Sequence, residues 1–312
     1  MKSLAILLFF AVSAAALGQQ QPDLGPNASL RGKRPFADDC AWNRPVDRDS
    51  VDPNSDRLIA GIGRQRGLHP DFGANWNGGP FGIPYLVVSG RTPGARVTFV
   101  AYGGESDPGP YPIPADAPIE GGPKAPADSD RHVLVLDRDH WKLYELYHAF
   151  PDGPGGWKAD SGAVFDLQRK CEGQRPAGWT SADAAGLPIF PGLVRYDEAV
   201  DQKVIRHALR FTCRRTRRAY APPATHFASR SDDPSLPPMG MRVRLKAGFD
   251  LSGFPPGARV ILQALKTYGM ILADNGGDWY ISGAPDARWD DEDLNTLKRV
   301  TGDQFEVVKM GR

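Results

Sequence analysis

The stretch WTSADAAGLPIFPGLVRYDEAVDQKVIRHALRFTCRRTRRAYAPPATHFAS, from Trp179 to Ser229, combines short apolar runs with many polar groups suited to chemistry. The apolar runs are too brief for long helices and are bounded by Gly and Pro, which is typical of strands joined by turns. The polar groups of most interest are Asp183, Asp197, Glu198, His207, Arg210 and His226. The stretch therefore predicts a β-rich fold that carries a polar site.

A hairpin is predicted upstream of this stretch, from residues 131–137 and 141–150. In its second arm, alternation places Trp141, Glu145 and Tyr147 on one face. A carboxylate among aromatic rings is typical of a sugar-binding cleft, because rings stack on the CH-rich faces of sugars while carboxylates bind hydroxyl groups. The alternative is that Glu145 is a charged residue on a solvated face.

Residues 241–247 form the clearest two-faced strand in the sequence. Their apolar members, Met241, Val243 and Leu245, are predicted to point inward, as in a sheet with one buried face. The basic residues between them, among them Arg242 and Arg244, are then expected to face solvent.

The C-terminal part of the chain predicts two short helices and a hairpin. Residues 258–268 show helical apolar spacing and are followed by a glycine, while Asp290 is placed to cap a second helix. Residues 270–274 and 279–282 predict a hairpin around an Asn-Gly turn. The whole pattern predicts a mainly β fold, namely an antiparallel β-sandwich of jelly-roll type with a few short helices, two of them near the C-terminus.

The N-terminal sequence predicts export. A charged start, an apolar run from Leu4 to Val12 and small residues just after it are typical of a signal peptide. We expect residues 1–18 to be a signal peptide, 19–34 a flexible lead-in and 35–312 a single β-sandwich domain. No later segment is apolar enough to cross a membrane. The protein is therefore predicted to be secreted, whether extracellular or periplasmic, after cleavage.

Composition and motifs narrow the classes of partner. The formal net charge of +1 provides no global field that would favour nucleic acid. Of the three cysteines, Cys40, Cys171 and Cys213, one pair could form a disulfide, and the sequence leaves the pairing open. The GIGRQRG segment at 61–67 lacks the context of a dinucleotide site, and GxSxG, P-loop and HExxH motifs are absent. We expect a monomer with no cofactor and no metal centre.

Hydrolysis of a glycosidic bond is the chemistry that these residues favour. It requires one acid to protonate the leaving oxygen and one carboxylate to attack the sugar or to activate water. The predicted catalytic residues are Asp183, Glu198, His207 and His226, with Glu145 as an alternative acid. The predicted substrate-binding residues are Trp141, Tyr147, Trp179, Asp197 and Arg210. The expected substrate is a polysaccharide or oligosaccharide.

Three alternatives stay open from the residues alone. A polysaccharide lyase would use a His or Tyr base together with an Arg that holds a uronate carboxylate. A non-catalytic carbohydrate-binding or cell-envelope protein would present exposed aromatic rings without converging carboxylates. A divalent cation could also be held by Asp and His side chains, although no known ligand spacing is present.

Several segments together resemble a family of secreted β-rich proteins from soil bacteria and filamentous fungi. They are GWTSADAAGLPIFPGLVRYDE, IRHALRFT, PPATHFAS, DPSLPPMGMRVRLKA and ALKTYGMILADNGGDWYISGAPDARW. The resemblance covers most of the chain, from about Asp38 to Val308, and implies a secreted single module. It implies no particular catalytic residue and no particular activity. The resemblance does not suggest a disulfide framework at Cys171 and Cys213.

Overall fold

The structure, a computed structural model, describes residues 20–310 and is mainly β. The described residues form sixteen strands: β1 (Gly25–Pro26), β2 (His69–Asp71), β3 (Gly73–Trp76), β4 (Gly79–Phe81), β5 (Tyr85–Val88), β6 (Val97–Phe99), β7 (Val133–Asp137), β8 (Lys142–Tyr147), β9 (Phe150–Pro151), β10 (Trp157–Ala159), β11 (Ser161–Asp166), β12 (Leu209–Cys213), β13 (Arg242–Leu245), β14 (Met270–Asn275), β15 (Tyr280–Ser282) and β16 (Phe305–Val307). They also form three α-helices: α1 (Ser55–Ile62), α2 (Pro256–Thr267) and α3 (Asp291–Asn295). The predicted signal peptide, residues 1–18, lies outside the described residues.

The first large sheet has five strands in the order β1-β5-β7-β8-β11. β7 and β8 pair in antiparallel fashion, with Leu134 opposite Glu145, which confirms the hairpin predicted from the sequence. β1 pairs with β5, and Leu30 just after it is buried, so the segment expected to be a flexible lead-in contributes to both the sheet and the core.

The second large sheet has six strands in the order β16-β13-β14-β12-β15-β2. The hairpin predicted from β14 and β15 is wrong, because β12 lies between these two strands and pairs with both. The Asn-Gly turn does connect them in sequence. However, each strand finds its hydrogen-bond partner in β12, all five of whose residues are buried.

The expected antiparallel sandwich of jelly-roll type is not confirmed, because the sheets are mixed. Parallel pairs are formed by β5 with β7, β12 with β14, β15 with β2 and β10 with β6. Parallel partners need a long connection to bring the chain back to the same end of the sheet. Between β12 and β14 this connection contains β13 and α2, which the sequence pattern did not assign to a crossover.

The five-stranded sheet is covered on both faces. One face packs into the main core, which it shares with the six-stranded sheet, through Leu134, Leu136, Leu143 and Phe165. The other face packs through Val133, Val135 and Leu146 against the small sheet β6-β10-β9 and against residues 103–130, a proline-rich stretch. The buried side chains of this stretch are Tyr111, Ile113 and Ile119. The main core therefore lies between the two large sheets, and polar groups on their facing sides are screened from solvent.

The arginines of β13 are buried, so the prediction that they face solvent is wrong. Arg242 donates to the backbone carbonyls of Ala41, Arg44 and Tyr268, and Arg244 pairs with Glu306 at 2.8 Å. Burial lowers the pKa of Arg242 to about 9, and the nearby charge of Arg44 acts in the same direction. Alternation correctly separates the two faces of this strand, but segments distant in sequence cover the second face.

The two late helices are confirmed with their predicted ends. Gly269 follows α2 with φ of 68°, the left-handed conformation that favours glycine at a helix C-terminus. The carboxylate of Asp290 accepts hydrogen bonds from the backbone N–H groups of Glu292 and Asp293 at the start of α3. Within residues 20–310, none of the helices has the length and apolar character needed to span a bilayer.

Candidate functional site

A row of polar side chains crosses one face of the six-stranded sheet. Ser282 on β15 lies opposite Asp71 on β2, and Thr212 on β12 lies opposite Tyr280 on β15. Residues two apart on a strand share a face, so Arg210 on β12 belongs to the same row. Its Nη1 donates to Ser282 Oγ at 2.6 Å. The sheet register therefore delivers a buried guanidinium into the space between the two large sheets.

Arg210 forms a two-point ion pair with Asp183. Nε donates to Oδ2 at 2.8 Å and Nη2 donates to Oδ1 at 2.7 Å, and both residues are buried. Burial alone would lower the pKa of Arg210, but Asp183 outweighs burial and holds that pKa above its usual value. Because both oxygens of Asp183 are engaged, this carboxylate is an anchor for Arg210 and is poorly placed to attack a substrate.

Asp274, at the end of β14, is the second carboxylate beside Arg210. Its Oδ2 lies 3.4 Å from the same Nη2 that binds Asp183, and its side chain is 23% exposed. Burial raises the pKa of Asp274 to about 7, and the negative charge of Asp183 adds to this effect. Arg210 acts in the opposite direction but is shared with Asp183. Asp274 is therefore about half protonated at pH 7, so it can donate a proton as a general acid does.

Asp183 and Asp274 line a cavity of about 290 Å³. Its polar lining includes Tyr102, Asp130, Tyr147, Asp183, His226 and Asp274. Burial raises the pKa of Tyr147 to about 12, and the charges of Asp130 and Asp274 contribute further. Tyr147 therefore lines the same cavity as both carboxylates and is influenced by their charges. Among the described residues that line this cavity there is no Lys or Arg.

His226, Asp183, Tyr147 and Arg210 are the sequence-predicted residues that the structure brings together. His226 Nδ1 lies 2.8 Å from the carbonyl oxygen of Ala184, which fixes the ring at the cavity wall. Asp274 was not among the predicted site residues, because no motif in the sequence distinguishes it from the other aspartates. Asp130 was not identified, because it ends a proline-rich stretch in which no spacing signals a site.

A pair formed by the buried His132 and the partly exposed Glu120 adjoins the cavity and was also missed. His132 Nδ1 lies 2.6 Å from Glu120 Oε2, and Nε2 lies 3.1 Å from the carbonyl oxygen of Ala182. Burial opposes the charge on His132, but Glu120 outweighs burial and raises the pKa of the imidazole to about 9. The pair is therefore ionic at neutral pH and fixes the end of the proline-rich stretch.

Within residues 20–310, two groups of side chains have the spacing of metal ligands. Glu120, Asp130 and His132 each place one ligand atom within 4.8 Å of the others. Both ring nitrogens of His132 are already bonded, so a cation there would have to displace Glu120 or Ala182. The other group contains Cys40 and Cys171, which form a disulfide and offer no thiolate. We assign no metal to either group.

Glu145 is fully buried and does not line the cavity. Its carboxylate accepts the backbone N–H groups of Ile189 at 3.0 Å and Phe190 at 2.9 Å. Burial raises the pKa of Glu145 to about 7, although these two hydrogen bonds act in the opposite direction. Its position indicates a structural role, which is to fasten the turn at Phe190–Gly192 onto β8.

Glu198 and His207 form a separate buried cluster. Glu198 binds Arg195 Nη2 at 2.6 Å and His207 Nε2 at 3.0 Å. Burial would raise the pKa of Glu198, but Arg195 and His207 outweigh it and lower that pKa. Asp197 accepts a hydrogen bond from Ser29 and lines a different cavity of about 830 Å³. The predicted combination of Glu198 and His207 with Asp183 and His226 in one cavity is therefore not what the structure shows.

The three aromatic side chains predicted to bind sugar also lie in different parts of the structure. Tyr147 lines the cavity, but Trp141 is buried in the main core with Lys33 Nζ 3.7 Å from its ring centre. Trp179 packs beside Arg175, 5.4 Å from its ring centre, and does not line the cavity. Of the three rings expected to bind sugar, only Tyr147 is in position to do so at this site.

Comparison with known proteins adds no assignment. No protein-family model matches the chain, and neither a curated protein nor a solved structure matches it. The functional interpretation therefore depends on the geometry and charge of the cavity itself.

Proposed function

We propose that the protein is a glycoside hydrolase whose active site is the 290 Å³ cavity. The observation that carries the proposal is the placement of Asp274, a carboxyl group with a pKa of about 7, in one cavity with a second carboxylate, Asp130. Glycoside hydrolysis uses a pair of carboxyl groups, of which one donates a proton while the other attacks the sugar or activates water. Tyr147 lines the same cavity as both of them.

Asp274 is proposed as the general acid. Its proton would pass to the glycosidic oxygen as the bond to the leaving group breaks, and the pKa of about 7 keeps that proton available at neutral pH. Asp183 supports this role without touching the substrate, because its charge adds to burial in raising the pKa of Asp274. Arg210 prevents the buried charge of Asp183 from being left unpaired.

Asp130 is proposed as the carboxylate partner, which either attacks the sugar or activates water. His226 and Tyr147 would bind sugar hydroxyl groups at the cavity wall. A cavity of about 290 Å³ lies at the lower limit of ligand pockets, roughly 300–1,000 Å³, and suits a single sugar residue.

The charge of the cavity favours a neutral sugar over a uronate. Three carboxylates, Asp130, Asp183 and Asp274, line it, and the nearest guanidinium is already paired with Asp183. A uronate carboxylate would therefore find repulsion and, among the described lining residues, no Lys or Arg side chain to hold it. This argues against a polysaccharide lyase, which needs such a cation.

The site of action is proposed to be outside the cytoplasm, because the N-terminal sequence has the pattern of a signal peptide. The Cys40–Cys171 disulfide is compatible with export, since such bonds persist in oxidising compartments.

The test is hydrolysis by the purified protein of a panel of nitrophenyl monosaccharides and of plant, fungal and bacterial glycans, both neutral and uronate-containing. Release of nitrophenol or of new reducing ends is expected, with kcat/KM falling as the pH rises through about 7, where Asp274 loses its proton. Asp274→Asn should lower kcat by roughly a hundredfold or more, since an acid–base group typically contributes about 10²–10⁴-fold. The melting temperature should fall little or rise.

Asp116→Asn is the matched control, because Asp116 is an exposed aspartate outside the cavity. It should retain full activity. Absorbance at 235 nm without hydrolysis would indicate a lyase instead, and retention on glycans without turnover would indicate a binding protein. Full activity of Asp274→Asn would reject the assignment of the acid.

A further inference from the structure

Trp76 is the most exposed large apolar side chain among the described residues, with 68% of its surface accessible. It lies on the short hairpin formed by β3 and β4, with its ring centre 6.2 Å from that of Phe81. Asp291, at the start of α3, accepts hydrogen bonds from the backbone N–H groups of Ala74 and Asn75 at 2.8 and 3.0 Å. The ring is therefore presented to solvent on an anchored element, and not at the tip of a free loop.

Trp76 forms part of the wall of a cavity of about 1090 Å³. The same wall contains Phe81 and the carboxylates Asp71 and Glu120. An exposed ring bordered by carboxylates matches the two kinds of surface on a sugar, because the ring can cover CH groups while the oxygens accept hydrogen bonds from hydroxyl groups. The cavity is more than large enough for several sugar residues.

This cavity adjoins the smaller one in which Asp274 lies. Glu120 lines the larger cavity and Asp130 lines the smaller one, and a carboxylate oxygen of each lies within 4.8 Å of the other. A chain entering at Trp76 could therefore continue past Glu120 to the carboxylates of the smaller cavity. The size difference suits a polymer, with one residue held in the smaller cavity and the rest outside it.

We infer that the Trp76 cavity, lined by Asp71, Trp76, Phe81 and Glu120, binds the continuing chain of a neutral polysaccharide whose terminal residue occupies the smaller cavity. The inference rests on the proposed function in one respect, because the end of the sugar chain is placed in the proposed active site. Arg288 also lines this cavity but is paired with Asp286 at 2.7 Å, so the carboxylates Asp71 and Glu120 disfavour an anionic chain. The ring of Trp76 would stack on one sugar face.

The test uses affinity electrophoresis in gels that contain soluble β-glucan, xylan, galactomannan or starch. At least one of these polysaccharides should retard the protein, and Trp76→Ala should weaken the retardation about tenfold or more, as expected for removal of a central aromatic contact. Trp76→Phe should retain part of the binding. Tyr220→Ala removes an exposed ring that lines neither cavity and should leave binding within about twofold of the original.

Tryptophan fluorescence gives a second measurement. Most of the other tryptophans are buried, so acrylamide should quench Trp76 preferentially, and a bound polysaccharide should protect it. In kinetics, Trp76→Ala should raise KM for the polymer about tenfold and leave kcat/KM for a nitrophenyl monosaccharide unchanged.

The outcomes separate this inference from the proposed function. If polysaccharide retards the protein through Trp76 but no hydrolysis occurs, the proposed hydrolase function is rejected and binding at the Trp76 cavity is supported. If the protein hydrolyses polysaccharide and Trp76→Ala has an unchanged KM for the polymer, binding at the Trp76 cavity is rejected and the hydrolase function is supported. Equal damage to polymer and monosaccharide hydrolysis, or no retardation by any polysaccharide, would also overturn the inference.

Discussion

Replacing Glu145 with Gln tests the claim that this buried carboxyl group is structural and not catalytic. Its pKa is about 7 in the folded protein against an ordinary value of 4.5. Between these values the folded state keeps a proton that the unfolded state has released, so the free energy of unfolding falls as pH rises through this window. The full shift corresponds to about 3.5 kcal/mol, at about 1.4 kcal/mol for each pH unit.

Gln cannot lose this proton, and its side-chain oxygen can still accept hydrogen bonds from Ile189 and Phe190. The stability of Glu145→Gln relative to the original protein should therefore improve by about 2–3 kcal/mol between pH 5 and pH 8. Other titrating groups are common to both proteins and cancel in this difference. The measurement is chemical denaturation of both proteins at the two pH values, accompanied by an activity assay, in which the variant should remain active.

Glu198→Gln is the matched control, because the pKa of Glu198 is lowered and not raised. The stability that Glu198 contributes is present above its ordinary pKa and is lost only at more acidic pH. This variant should therefore be destabilised by nearly the same amount at pH 5 and pH 8. If Glu145→Gln shows no improvement between these pH values, the attribution of its raised pKa to burial is refuted. If it loses activity while keeping its stability, the structural role is refuted.

Two further predictions concern the stability provided by the Arg210–Asp183 ion pair and by the Cys40–Cys171 disulfide. Arg210→Met leaves Asp183 buried without its partner and should lower the free energy of unfolding by about 3–5 kcal/mol in urea denaturation, so a loss below about 1 kcal/mol would contradict the ion-pair account. Cys171→Ser opens a disulfide between residues 131 positions apart and should cost up to about 5 kcal/mol by the same method. Cys213→Ala, which removes a buried free thiol, is its control, and equal stability of both variants would contradict a contribution from the disulfide.

Local patterns in the sequence predicted the elements whose structure depends on near neighbours. The β7–β8 hairpin follows from two alternating runs joined by a short polar turn, and it is confirmed. The left-handed Gly269 just after α2 and the cap of α3 at Asp290 follow from backbone geometry within one helical turn. Each of these features depends on residues a few positions apart, which is why a single sequence is sufficient to predict them.

Sheet order and burial of the second strand face were not predictable in this way. The sequence predicted that β14 and β15 pair directly, but β12 lies between them in the sheet. The alternation in β13 separates two faces, but only packing shows that Arg242 lies beneath other segments. Alternation reports which residues share a face and contains no information on what covers that face.

The sequence by itself determined that the chain is mainly β, that two helices lie near its C-terminus and that acids and histidines are concentrated between residues 179 and 229. Only the tertiary structure decided which of these acids are neutralised by arginine and which share a cavity. Asp183 and Glu198 are both carboxylates in the same segment of the sequence. In the structure, Asp183 pairs with Arg210 and Glu198 pairs with Arg195, in two separate clusters. Asp130 and Asp274 come from distant segments and meet in one cavity. The reason is that ionisation depends on burial and on distances in space between charges, and neither is encoded by spacing along the chain.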